Sequence, residues 1–304
     1  MKPFLHRLSN QKGAATVLTA LSLIALCGIA AMVVDIGVLY LNKVQIAKAA
    51  DAAALAGAQE LPEGPGQAVT EANTYAGLNG KTGDVVQPAL SNNNTSLTVT
   101  INRNVKLFFA NIWGKQFSDV TAAATAQVST YSGGKVGIVP FGVVKQNFVF
   151  GQTYKLKLGG GGGFDGNFQA LALGGTGAST YLNNIMYGYQ GTFHIGDWIP
   201  TETGNMSGPT SQGVSYRLSL DPSATFSTVQ NNSGRIVICP VITSFAVNGS
   251  SNVQVAGFAA FFLQGAAYQG NNSYVYGQFR QMVLPGDSDA SATGYGLYGV
   301  TLTK

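Results

Sequence analysis

From Gly13 to Val34 the chain reads GAATVLTALSLIALCGIAAMVV, with no charged residue. At 1.5 Å per residue these positions make a helix of about 33 Å, close to the hydrocarbon thickness of a bilayer. The run is longer than the apolar core of a secretory signal, and no clear small-residue cleavage site closes it before the helical pattern resumes. That pattern continues through LNKVQIAKAADAAALAGAQEL, rich in alanine, the best helix former, and meets no proline until Pro62. The expectation is one unbroken helical rod from Gly13 to Leu61, about 70 Å long. Its lower part would lie in lipid and its upper part in water.

Two features of this rod carry functional expectations. Asp35 stands where the apolar run ends. An ionised carboxylate at membrane depth is costly and normally has a partner. It either pairs with a charged group on a neighbouring subunit or already lies among the headgroups, with Tyr40 as an interfacial anchor. Higher up, Ala50, Ala54 and Ala58 share one face, and Ala49, Ala53 and Gly57 an adjacent one. Small residues at every fourth position let another backbone approach closely. That backbone is either a helix of another subunit or the chain's own following domain.

The ordered set of Lys12 and Gly13, the apolar run, VVDIGVLY (Val33 to Tyr40) and AADAAALAGA (Ala49 to Ala58) resembles the N-terminal region of Tad/Flp pilus-assembly proteins of the TadE/TadG type. The resemblance implies a bacterial membrane-anchored protein with its bulk outside, serving a surface pilus system. It also implies other pilus-assembly proteins or pilin helices as partners. Processed pilin-like members carry Glu at the fifth position after the peptidase-site glycine, where this chain has Leu18. That departure implies an anchor that is not cleaved after Gly13.

Charge agrees with the anchor and argues against nucleic acid. The net charge is +4, but Lys2, Arg7 and Lys12 all precede the apolar run, and no basic stripe with stacking aromatics follows. Positive charge on that flank alone places residues 1–12 in the cytoplasm and the chain beyond about residue 42 outside. Cys27 lies in the apolar run and Cys239 far away in GRIVICPVI, so no disulfide framework is expected.

Beyond the rod, only 10% of all residues are charged, against roughly a quarter in an ordinary soluble protein, while glycine is abundant. This composition reads as turn-rich β structure. After LPEGPGQAV, a short helix is expected in AVTEANTYAGLNG, stopping at Asn79-Gly80. SLTVTINRNVKLFF alternates as a strand with Leu97, Val99 and Ile101 on one side. LFFANIWG reads as a helical turn and DVTAAATAQVSTY as a second strand. Residues 131–304 read as β throughout, an antiparallel sandwich-like domain in which GFAAFFLQG, apolar on both faces, is a central strand. The stretches PFGVV, GNFQALALGG, TETGNMSGPTSQGV and VAGFAAFFL also resemble the C-terminal part of some Gram-positive members of the same family. A metal-binding DxSxS, which larger TadG proteins can carry, is absent.

The expected class is therefore α+β. It comprises a basic tail (1–12), a transmembrane helix (13–41), its extracytoplasmic extension (42–62), a small α+β unit (63–130) and a β-rich domain (131–304). Catalytic and cofactor patterns are weak. GGGGGFDGN (Gly159 to Asn167) lacks the Lys-Ser/Thr of a phosphate loop and the apolar residue and tandem copy of a calcium repeat. Asp287, Asp289 and Ser291 alternate as in a calcium loop, but Ala292 and Tyr298 replace its glycine and glutamate. His194, with Asp197, lacks the further ligands of a zinc site, and Glu202 and Asp197 are not singled out as paired acids. No catalytic, cofactor or metal residue is assigned. The Tyr/Asn-rich YLNNIMYGYQGTF and YQGNNSYVYGQF could present a contact surface for surface ligands or glycans. The sequence thus points to a non-enzymatic pilus-assembly component in the membrane. The alternative is a membrane-tethered adhesin or ligand-binding module unrelated to pili.

Overall fold

The structure is a computed structural model that describes residues 11–91, 93–156, 167–247, 249–269 and 272–303. Lys2 and Arg7 of the tail and the glycine-rich run up to Gly166 lie outside the described residues. Helix α1 (Gln11–Gln59) runs unbroken from the apolar segment to the alanine-rich one. The chain reverses around Pro62 into α2 (Pro65–Asn79). Pro65 opens this helix, where a missing N–H costs nothing. Gly80 closes it by donating its N–H to Ala76 O at 2.8 Å.

Three long strands follow: β1 (Val85–Leu90), β2 (Ser96–Lys106) and β3 (Phe117–Gly134). A single 3-10 turn, Ala110–Trp113, lies between β2 and β3. Period-two alternation sets their inner face: Leu97, Val99, Ile101, Arg103 and Val105 of β2 are buried in turn. The first core packs Leu97, Val99 and Ile101 of β2, Ala122, Ala124 and Ala126 of β3, and Ala68, Ala72 and Ala76 of α2 against Ile46, Ala49, Ala50, Ala53, Ala54 and Ala58 of α1.

The chain then builds a larger body from β4 (Val143–Val144), β5 (Thr153–Lys155), β6 (Asn167–Leu171), α3 (Ala178–Tyr187), β7 (Phe193–His194), β8 (Trp198–Thr203), α4 (Ser207–Ser219), β9 (Ile236–Ile242), β10 (Asn252–Gln269) and β11 (Asn272–Arg280). Its main sheet has the order β4-β9-β10-β11-β5, with β8 pairing both β10 and β6. As expected for GFAAFFLQG, β10 is central, flanked by β9 and β11. Alternation along β9 and β10 sends side chains into two separate cores. Ile236, Ile238, Phe258, Ala260 and Phe262 face Tyr131, Met282 and Leu297. Val237, Cys239, Ala259, Phe261 and Leu263 face Tyr181 and Ile185 of α3 and Val214 of α4.

The last strands, β12 (Met282–Val283), β13 (Asp287–Asp289) and β14 (Leu297–Thr303), return to the first sheet, whose order is β1-β2-β3-β14-β12. Both β13 and β7 pair the far end of β3. Residues 130 and 131 thus lie inside one strand that carries both the anchor-bound sheet and the larger body. Among the described residues, only the β4–β9 and β12–β14 pairings of named strands are parallel. The class is α+β, with a long apolar helix ahead of largely antiparallel, sandwich-like sheets.

Two segments differ from the expectation of β structure after residue 131. ASTYLNNIMY is helix α3 and SGPTSQGVSYRLS is helix α4. Their glycine, serine, threonine and asparagine are weak helix formers. The helices are held by tertiary burial of Tyr181, Ile185 and Val214 on the main sheet. Asn184 likewise serves the fold, donating from Nδ2 to Leu173 O at 2.7 Å. Much of the first Tyr/Asn-rich stretch is therefore internal scaffolding.

Gly57 shows how close the helices lie. A Cβ added there would meet the Leu97 side chain, Ala68 O at 2.7 Å and Ala72 Cβ at 2.9 Å. Backbone and strand core both block relief, so Gly57→Leu should lower stability by about 3 kcal/mol, the upper range for overpacking. Thermal unfolding of the full chain in detergent, followed by circular dichroism, should show a clear drop in Tm. An unchanged Tm would contradict this packing.

Candidate membrane anchor and exit site

The two halves of α1 differ in their surroundings. Leu18, Leu21, Leu23, Ile24, Leu26, Ile29, Met32 and Val33 are all exposed. Only 6% of the most apolar 18 residues of α1 are buried, unlike the core helix of a globular protein. Among the described residues it is the one helix long and apolar enough to cross a membrane. In water this all-round apolar surface would be strongly unfavourable; lipid removes that cost. Cys27 is exposed within this stretch, whereas Cys239 is buried and its thiol pushed up by burial; both are free.

Burial on α1 begins at Asp35. Its carboxylate accepts hydrogen bonds from the backbone N–H groups of Phe108 (2.8 Å), Phe109 (3.0 Å) and Ala110 (2.6 Å). These donors open the 3-10 turn after β2 and have no partner within that turn. Asp35 is thus held by backbone of its own chain, through charge-assisted bonds of the stronger kind. Neither a charge from a neighbouring subunit nor bulk water is needed to satisfy it.

Two to three turns higher, a second polar junction ties α1 to the sheet. Arg103 occupies an inward position of β2 and is buried. Its Nε and Nη2 donate to Asp84 Oδ1 and Oδ2, each at 2.7 Å, and its Nη1 donates to Asn42 Oδ1 and Gln45 Oε1 of α1, each at 3.0 Å. The fork of the guanidinium thereby joins the start of β1, the middle of β2 and one face of α1. Lys43 adds a hydrogen bond from Nζ to Thr121 O of β3. An open groove of about 520 Å³ lies beside this junction, lined by residues that include Val38, Asn42, Lys81, Asp84, Lys106 and Phe108.

These contacts define the direction of β2. Gly57 faces Leu97 and Asp35 holds Phe108. The helix covers about 33 Å between its two positions and the strand about 36 Å between its own. The two lengths match, so the β2–β3 hairpin runs back down α1 and brings its turn to the level where the apolar segment ends.

The small-residue positions lie in the first core. Ala50, Ala54 and Ala58 are fully buried, and Gly57 faces Leu97, Ala68 and Ala72. Of the two backbones that could approach them, the one present is this chain's own α2, with β2 and β3 beside it.

The remaining candidates are scattered through the body. His194 Nε2 lies 3.2 Å from Asp287 Oδ2, and Asp197 Oδ2 accepts from the His194 backbone N–H at 2.8 Å; these side chains are largely exposed. Asp289 is occupied by Ser291, whose N–H and hydroxyl both donate to Oδ1 and hold its carboxyl below the usual range. Glu202 is buried and accepts from Gly177 N–H at 2.9 Å, ahead of α3. Burial, with a smaller effect of Asp287, pushes the Tyr131 phenol up to about 12, so it is neutral at physiological pH. Among the described residues no group of three His, Cys, Asp or Glu side chains is placed to hold a metal ion.

Two predictions test the exit site. Removing the carboxylate by Asp35→Ala should raise amide hydrogen exchange at residues 108–110 about tenfold to a hundredfold, the worth of hydrogen bonds to a charged group. Unchanged protection would show that the turn is held by other means. Separately, the Arg103 hydrogen bond holds the Asp84 carboxyl below its ordinary 3.8, against the opposing effect of burial. The stabilisation is complete above that ordinary value and disappears as pH falls through the lower folded value. Asp84→Asn should lower Tm at neutral pH and flatten its decline between about pH 5 and about pH 2. A parallel shift of the whole pH profile would refute this linkage.

No curated protein and no solved structure matches the chain. Residues 13–60, spanning the apolar segment, Asp35 and the small-residue face, match the family model described as "Putative Flp pilus-assembly TadE/G-like".

Proposed function

We propose that this chain is a membrane-anchored, non-enzymatic component of a bacterial Tad/Flp-type pilus-assembly system. The observation that carries the reading is a coincidence of boundaries. The segment matching the pilus-assembly family is the helix whose first half is exposed and apolar and whose second half is built into a folded body. The basic flank at Lys2, Arg7 and Lys12 supports a cytoplasmic N-terminus with the β body on the opposite side. Leu18, in place of the glutamate of processed members, supports retention of the residues before Ala14.

In this reading α1 spans the membrane between roughly residues 13 and 41 and hands the body to the outside in a fixed orientation. Residues 1–12 remain a cytoplasmic tail, 42–62 extend the helix beyond the bilayer, and 63–130 with 131–304 supply the extracytoplasmic mass. Asp35 acts as the pin at the exit, and Ala50, Ala54, Gly57 and Ala58 hold the extension to the body. Partners are other pilus-assembly proteins, met by the exposed lower helix within the membrane or by the body outside it. Deleting the gene should abolish Tad-type pili on the parent cells, and the full chain should restore them. A version carrying residues 42–304 behind a cleaved signal should not. Normal piliation without the gene would refute the assembly role, and a mature N-terminus at Ala14 by mass spectrometry would refute the uncleaved anchor.

A further inference from the structure

The hairpin turn that Asp35 holds is an exposed loop with a dense apolar cluster. Phe108 (64% exposed), Ile112 (78%) and Trp113 (72%) point to solvent, with Phe117 half-exposed at the start of β3. Such residues cost free energy in water, and four within ten positions are not scattered surface apolars. Lys106 and Lys115 bracket the cluster, and no acidic residue lies between Val105 and Ser118. The turn is fixed to α1 at Asp35, 22 residues beyond Gly13, where a helix crossing about 30 Å of hydrocarbon emerges.

We propose that the loop 107–117 is a second membrane contact, dipping Phe108, Ile112 and Trp113 into the interfacial layer of the bilayer beside the point where α1 leaves it. This rests on the reading of α1 as the membrane anchor. The chemistry fits the outer interfacial layer in three ways. Tryptophan partitions to headgroup depth, where its ring is apolar and its indole N–H stays wet, and phenylalanine and isoleucine beside it bury into the acyl boundary. Lysines on either side can extend their amines to phosphate groups while their stems stay apolar. The surface is continuous with the lipid-facing half of α1, because Asp35 joins the two. Holding that carboxylate with three backbone N–H groups also lets the junction sit at headgroup depth without an unpaired charge. With two points of attachment, the body is prevented from swivelling about the helix axis.

The chain has two tryptophans, Trp113 in the loop and Trp198, 62% exposed, in β8. Full-length Trp198→Phe and Trp113→Phe proteins each retain a single reporter and can be placed in nanodiscs of phosphatidylcholine and phosphatidylglycerol. Cys27 provides the control, since it is the exposed thiol and Cys239 is buried. Its protection from a water-soluble maleimide reports insertion of α1. With Cys27 protected, Trp113 should have blue-shifted emission, lose most of it to acyl-brominated lipids and resist aqueous iodide, while Trp198 shows the reverse. If Cys27 is protected but iodide quenches Trp113 and brominated lipid does not, the loop faces water and the proposal is wrong. Trp113 shielded from both quenchers would mean that protein covers it, which also overturns the proposal. A freely reactive Cys27 would refute the anchor and the loop contact together.

Discussion

Alanine and glycine at positions 49, 50, 53, 54, 57 and 58 of α1 leave almost no side chain between that helix and its neighbours. A helix so bare cannot bury much apolar area per residue, so its stability comes from proximity. Backbones lie close, and the matching alanines of α2 at 68, 72 and 76 lie opposite. The bulk is supplied from the other side by Leu97, Val99 and Ile101 of β2. This division of labour explains how one helix serves two solvents. Large aliphatics on α1 are needed where the neighbour is lipid, and small ones where the neighbour is another backbone. The change between the two occurs within a few turns, with no break in the hydrogen-bond ladder.

Close packing of small residues is a poor source of register, because alanine faces slide past one another with little penalty. The polar pins at Arg103 and Asp35 supply what the alanines lack. Arg103 can satisfy its fork only where Asp84, Asn42 and Gln45 converge, and Asp35 only where the first N–H groups of the turn are free. Buried charges of this kind contribute little net stability against a well-packed apolar alternative, but removing one partner is expensive. Their physical role is to penalise every other sliding position of the β2–β3 hairpin along α1. That arrangement keeps the aromatic turn level with the end of the apolar segment.

Much of this was legible in the sequence where periodicity is strong. The unbroken α1, the stop at Gly80, the inward side of β2, the turn at ANIW and the central place of β10 follow from spacing and composition alone. Arg103 was also legible in principle, since it follows Leu97, Val99 and Ile101 at the next inward position. A charge in an apolar phase is a signal that a partner exists, though not which one. Helices α3 and α4 were hidden because their own residues do not favour helix and the burial that holds them comes from distant strands. The partner of Asp35 was hidden for a related reason: backbone donors 73 to 75 residues away leave no mark in composition. The pairing of β14 with β3 is equally non-local.

That last pairing decides how the anchor and the body are coupled. A domain merely appended after residue 131 would hang from one covalent connection and could rotate about it. Here the chain leaves the first sheet at the end of β3, builds the two-faced main sheet, and comes back as β13 and β14 alongside β3. The core containing Tyr131, Met282 and Leu297 from the first sheet and Phe258 and Phe262 from the second closes the space between them. Glu63, in the turn that follows α1, meets Arg280 at the end of β11, a modest additional tie at 3.3 Å. The larger body is therefore an insertion within the anchor-bound sheet. β3 lies against α1 at one end and inside the body at the other, so anchor and body share one continuous strand and are not joined by a single linker.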